Sequence, residues 1–295
     1  METVVKKNYH RNTQKYKKTL VKILITIIVA IVGFTMIIPF LWMLSASFKI
    51  SAEVMELPIR WIPKHFTPNN YKAVWNIGKS AARDYHFGLS YFNSLKIAFI
   101  NLFGAVLTST MAGYAFAKIN FKGRNILFLG YLATMMIPQQ VTLIPKFVMF
   151  SKLNLIGTHL TLILPGIITV TGTFLMRQYF MQIPEELKES AYIDGANEFQ
   201  IWARIMVPVA KPSMASLAMI VFLWNWNNYQ EALVFLADWR LYTIPVSLTN
   251  FIEETSTQYN LIMAASASAL IPVFVVFLAG QKFFVKGLMA GAVKG

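Results

Sequence analysis

The sequence contains no cysteine. Disulfides and thiolate metal sites are therefore excluded, and no redox compartment can be read from it. Charge is scarce: Asp, Glu, Lys and Arg supply 14% of the 295 residues, against about a quarter in an ordinary soluble domain. Acidic groups are scarcer still, 13 against 27 Lys and Arg. The four histidines, His10, His65, His86 and His159, lie scattered without ligand spacing, so no metal site is expected. No G-x-x-x-x-G-K-[ST] phosphate loop occurs, so the chain is not expected to bind ATP itself. The long uncharged stretches lack paired carboxylates and histidine clusters, the equipment of proton-coupled carriers and intramembrane hydrolases. No internal repeat or low-complexity tract is evident.

Apolar residue fills the space, 56% of the chain, and it comes in runs. Gaps between charges cover 23–48, 97–117, 125–145, 153–176, 212–230 and 255–281. About 20 apolar residues cross a hydrocarbon core, so these six gaps predict six spanning helices and an all-α polytopic membrane protein. Residues 1–22 carry seven Lys and Arg against Glu2 alone. That layout resembles a signal peptide, with Ser45-Ala46-Ser47 as a cleavage site, but a signal core is only about 7–15 residues long. The first run is too long for that and reads as a retained span. With the N-terminus inside, 17 of the 27 basic residues fall in the shorter inner segments, so the positive-inside bias puts both termini in the cytoplasm. The same bias accounts for the net charge of +14 without nucleic acid. The expected organisation is a basic tail at 1–22, a first span at 23–46, an extracytoplasmic loop at 47–92, a core of five spans at 93–281 and a cytoplasmic tail at 282–295. Pro39, Pro138, Pro145, Pro165, Gly166 and Pro272 interrupt the spans, either as simple kinks or as hinges of a moving pathway. Small residues at 104–117 and 264–269 permit close helix packing.

One segment breaks the pattern. Ile183–Pro212 holds five of the thirteen carboxylates: Glu185, Glu186, Glu189, Asp194 and Glu198. Pro184 suits a first helical position, Glu185 and Glu186 suit a first turn, and Gly195 suits a left-handed C-terminal stop. Asn197 can cap a second helix with Gln200 three residues on, and Phe199, Trp202, Ile205 and Met206 then share a stripe. Pro208 stops or kinks it. The prediction is a helix–turn–helix on the cytoplasmic face, too polar for lipid. An acidic loop there is repelled by anionic lipids, so a protein partner is expected.

Glu189-Ser190-Ala191, Asp194-Gly195-Ala196, Ile205 and Pro208 resemble the "EAA" loop of ABC importer permeases. Three residues separate Ala191 from Gly195, nine separate Gly195 from Ile205, and two separate Ile205 from Pro208. These are the family's spacings, with Ser190 in place of the first alanine. The likeness extends from about Leu20 to Gly295, through FNSLKIA, Lys118 to Asn125, Trp224–Tyr229, LYTIPVSL, LIMAASASALIPVFVVF and the ending GLMAGAVKG. It points to the carbohydrate-uptake branch and its maltose-type "G" subunit. The resemblance implies a type I importer permease in the bacterial cytoplasmic membrane. The loop 183–208 would seat a coupling helix in an ATPase cleft, with Glu189 in the contact and Gly195 in the turn. Tail residues Gly291, Lys294 and Gly295 would reach the ATPases. The implied partners are a second permease, two ATP-binding subunits, an extracytoplasmic binding protein and an oligosaccharide. ATP and magnesium would sit on the partners, and no cofactor on this chain.

A sugar pathway needs hydrogen-bonding groups beside aromatic faces. Trp224, Asn225, Asn228 and Glu231 offer both, with Asn225 and Asn228 able to share a face with Trp224. Interfacial anchoring explains such aromatics equally well, and Glu231 is merely solvated if the helix ends before it. The resemblance to the maltose-type subunit further implies an outward loop that reaches the binding protein, with Glu253, Glu254 and residues 255–259 as its candidate tip. A proton-coupled carrier would need intramembrane ionisable residues and usually inverted repeats. A membrane-embedded enzyme would need a catalytic cluster. A related importer for peptides, amino acids or phosphonates differs only in cargo.

Overall fold

The computed structural model describes residues 2–76, 86–254 and 257–292. All regular structure among them is helical: α1 Glu2–Ser47, α2 Ser51–Val54, α3 Asn69–Asn76, α4 Phe87–Lys118, α5 Arg124–Ala133, α6 Gln139–Lys152, α7 Leu160–Gly166, α8 Val170–Met181, α9 Glu186–Ile193, α10 Glu198–Ile201, α11 Val207–Val209, α12 Lys211–Trp226, α13 Gln230–Phe235, α14 Ile244–Glu254 and α15 Tyr259–Ala292. The chain divides into two compact units. One is Met1–Tyr71 with Thr257–Ala267; the other is Lys72–Ser256 with Ser268–Gly295.

Among the described residues, four helical stretches are long and apolar enough to cross a membrane: Lys18–Ser47, Phe87–Lys118, Leu160–Met181 and Tyr259–Lys282. Two further pairs, Arg124–Met136 with Gln139–Lys152 and Glu198–Val209 with Lys211–Trp226, are bent by 98° and 80°. Counting each pair once gives six. The third predicted span is therefore a broken one. Pro138 causes the break: it forces Ile137 into extended backbone, φ −83° and ψ 115°, as the residue before a proline must be. The other bend falls at Ala210, between Pro208 and Pro212 and just ahead of the predicted fifth span at 212–230. Pro39 and Pro272, by contrast, lie inside helices that continue past them.

In the first unit, Asn70 finishes the end of α1. Its amide donates to the Ser47 and Lys49 carbonyls at 2.8 Å each, groups a helix end leaves unpaired. Asn260 donates to the Asn70 oxygen at 3.0 Å.

In the second unit, α4, α8 and α12 pack around Ala105, Tyr114, Met176, Phe180, Leu217 and Val221. Small residues let the backbones close in: a Cβ on Gly113 would lie 2.7 Å from the Met176 Cβ and 2.9 Å from the Arg177 nitrogen. Between α7 and α8 the chain leaves the helix at Thr169 (φ −134°, ψ 125°). Thr108 of α4 donates to the freed Ile167 carbonyl at 2.6 Å, the kind of compensation a broken span needs in lipid.

Candidate functional site

The acidic segment folds into two short helices around a tight turn. The first starts two residues later than expected. Pro184 precedes it and Glu185 is its N-cap, because the neighbouring Ile183 is tied back to α4 by a Lys118 bond to its carbonyl of 2.6 Å. The helix ends at Ile193, and Gly195 stands at φ +79°, a conformation that costs any residue with a Cβ. The Gly195 nitrogen donates to the Tyr192 carbonyl at 3.0 Å and the Ala196 nitrogen to the Ala191 carbonyl at 2.9 Å. These are the two bonds of a Schellman stop. Asn197 and Gln200 then form a reciprocal capping box, each side chain accepting from the other's backbone nitrogen at 2.9 Å. Past Ile201 the helix widens into a π-turn, Trp202–Met206. Pro208 explains this: it has no N–H to give and its ring crowds the preceding turn, and a one-residue bulge relieves both.

The buried face of the second helix is Ile201, Trp202 and Met206, with Ile205 half-buried against the same core. Phe199, expected on that stripe, is exposed. Ile201, two positions on, takes the buried place instead.

Glu198 holds the two helices together. It accepts from the Tyr114 hydroxyl of α4 and the Tyr192 hydroxyl of α9, and pairs with Lys188 at 3.1 Å. Burial works against its charge, but these three donors outweigh it and hold the carboxyl below its ordinary range. The same carboxylate pushes the Tyr192 hydroxyl up to about 12. The ammoniums of Lys118 and Lys188 are both buried. Lys118 pairs with Glu185 at 2.8 Å, and Lys188 donates to the Lys118 carbonyl. The five carboxylates therefore divide: Glu198 and the exposed Glu185 are engaged by buried lysines, while Glu186, Glu189 and Asp194 are exposed and carry no such pair among the described residues. Of the remaining signature residues, Ser190 is exposed, Ala191 is buried in the core, Ala196 is half-buried and Pro208 is exposed. Between the carboxylates stand exposed Tyr192 and Ile193, the latter 87% accessible.

The candidate pathway residues separate. α12 ends at Trp226. Trp224 is 53% exposed. Asn225 accepts from the Asn101 amide of α4, and Asn101 also donates to the Leu162 carbonyl at 3.1 Å. Asn228 lies beyond the helix end and donates to Glu231 at 3.1 Å. The two asparagines thus serve different partners, because the helix stops between them. Glu231 is not solvated despite that stop. It sits in the first turn of α13 and pairs with Lys146 of α6 at 2.7 Å, with both side chains largely covered. Lys146 is the lone charge between Arg124 and Lys152, and Glu231 the lone charge between Lys211 and Asp238. That isolation, opposite in sign, was the available signal for the pair. No comparable signal marked Tyr114 or Asn101. Gly291 falls in the last turn of α15; Lys294 and Gly295 lie outside the described residues, as do residues 255 and 256 of the candidate loop tip.

Comparison with known proteins places these features in context. Residues 104–289 match the family described as "Binding-protein-dependent transport system inner membrane component", a span that includes the acidic helix pair and both broken spans. The chain is similar to the arabinooligosaccharides transport system permease protein AraQ of Halalkalibacterium halodurans, 35% identical over 274 residues covering 92% of this chain and 96% of the relative. It is similar to the sn-glycerol-3-phosphate transport system permease protein UgpE of Yersinia enterocolitica, 33% identical over 241 residues covering 80% and 85%. In fold it is similar to a chain from the crystal structure of a bacterial ABC transporter involved in the import of the acidic polysaccharide alginate, with a TM-score of 0.77, 22% identity and coverage of 90% and 96%.

Proposed function

The chain belongs to the binding-protein-dependent transport system inner membrane components, and on that premise we propose that it forms half of the pathway of an ATP-driven oligosaccharide importer. The observation that carries this is the acidic helix pair: an exposed polar and apolar face on a part bolted to the membrane core. Lys118 and Lys188 join α9 to the end of α4, and Ile201, Trp202 and Met206 sink into the core shared with α8 and α12. A push on the exposed face is therefore passed to three spans at once. In this reading the face docks into a partner ATP-binding subunit through Glu186, Glu189, Tyr192, Ile193 and Asp194, with Gly195 setting the angle. ATP-driven closure of the partners tilts the attached helices and turns the pathway outward. A loaded binding protein releases sugar, and hydrolysis resets the gate. Both termini lie on the ATPase side, and the pathway is completed by a second permease.

The cargo assignment rests on the relatives. Arabinooligosaccharides and sn-glycerol-3-phosphate, named in the two permeases, share a run of hydroxyl groups. Exposed Trp224 and the Asn228–Glu231–Lys146 group offer an aromatic face and polar partners for such a molecule. The test is uptake into vesicles holding this chain, a second permease and the ATPases. Uptake of labelled oligosaccharide should require ATP and the binding protein, and should survive collapse of the proton gradient. Uptake driven by a proton gradient without the ATPases would contradict the proposal.

A further inference from the structure

The segment after the first span folds back onto it. Trp61 lies edge-on against Trp42 at 5.8 Å, and the Trp61 carbonyl accepts from Ser45. The Arg60 carbonyl accepts from Lys49, whose ammonium also sits 4.0 Å over the Trp42 ring. Two further ties hold the base of this fold-back. The Thr67 nitrogen donates to the Phe48 carbonyl at 2.8 Å, and the Phe48 and Phe66 rings stack at 4.9 Å. Residues 60–61 are therefore fixed beside the last turns of α1 and do not extend away from its end.

Depth follows from counting. Lys22 is the last charge before the first apolar run. About 20 residues cross the hydrocarbon core, and 20 residues beyond Lys22 is Trp42. Trp42 thus marks the far edge of the hydrocarbon, and Trp61 is held at its level. The residues around Trp61 are apolar and uncovered: Leu57 is 80% exposed and Ile62 82%, with Ile59 and Trp61 also exposed. Arg60 and Lys64 are exposed beside them. An apolar cluster with aromatic and basic neighbours is the composition of an interfacial anchor, which sinks about 5–10 Å into the headgroup boundary.

We propose that residues 57–62 are a lipid-facing interfacial anchor whose apolar side chains enter the bilayer beside Trp42 and fix the height of the first span. The occupant of this face is lipid, because the fold-back places it where lipid is. The inference needs only that α1 crosses the membrane, and it is independent of cargo and of ATPase docking.

The absence of cysteine makes the test direct. Single cysteines are introduced by Leu57→Cys, Ile62→Cys and Lys64→Cys, all exposed positions that leave packing intact. Each is spin-labelled in the full transporter in bilayers. Collision with oxygen, which concentrates in lipid, is compared with collision with a water-soluble nickel chelate. The oxygen-to-nickel ratio at 57 and 62 is expected to be severalfold above that at 64. A ratio at 57 and 62 equal to that at 64 puts the segment in water and overturns the proposal. Exclusion of both probes at 57 and 62 means that protein covers the face, and overturns it equally.

Discussion

Glu198 shows how one side chain can decide what an acidic segment does. By position it belongs with the four other carboxylates of a docking surface; by contact it is internal, gathering Tyr114, Tyr192 and Lys188. Glu198→Gln keeps the shape and removes the charge. It is expected to lower stability by about 1 kcal/mol, below the usual value for charged hydrogen bonds, since the carboxylate is over one-third exposed and screened accordingly. Its folded-state pKa is depressed, so its contribution is present above the unfolded value of about 4.3 and is lost as pH falls through the folded value. The gap between wild type and Glu198→Gln in thermal unfolding should thus be full at neutral pH and close on acidification below about pH 4. A gap that stays constant over that range would contradict this role. At the turn, Gly195→Ala keeps the small size but must adopt φ +79°, a cost of about 1–2 kcal/mol. The expected readout is weaker ATPase co-purification with the helices still formed by circular dichroism.

At the scale of elements, closeness and charge isolation carry the argument. α4 and α8 touch at Gly113, where a Cβ has no room. Gly113→Val is expected to separate the helices, costing about 1–3 kcal/mol as overpacking does, with a lowered melting temperature in detergent. The Lys146–Glu231 pair links α6 to α13. Lys146→Ala leaves a covered carboxylate without its cation and should be more damaging than the exchange of both residues, Lys146→Glu with Glu231→Lys. Transport by the exchanged pair above that of either single variant would show that the pairing itself matters. Much of this scale was legible in the sequence. The Schellman stop at Gly195 and the capping box at Asn197 follow from local chemistry and lie where the residue pattern put them. The proline itself marked an interruption at Pro138, but the sharpness of the break, 98°, was not legible, nor were the π-turn before Pro208 and the inward turn of Glu198. Each depends on a neighbour far along the chain or on how a proline is relieved, and a run of apolar residues looks the same whether straight or folded.

For the whole molecule, the central claim is mechanical: a permease without an ATP-binding motif takes its work through one acidic helix pair fixed to three packed helices. Among the described residues, four stretches and two bent pairs are suited to crossing the membrane, and the match over residues 104–289 covers the pair, α8, α12 and the second half of α4. The most direct measurement is site-specific cross-linking from Ile193→Cys, the single cysteine in an otherwise cysteine-free chain, in the assembled transporter. The account predicts a cross-link to the ATP-binding subunit whose yield changes between nucleotide-free and ATP-bound states. A cysteine at 193 that stays open to water-soluble thiol reagents in the active transporter, with no cross-link in either state, would contradict it.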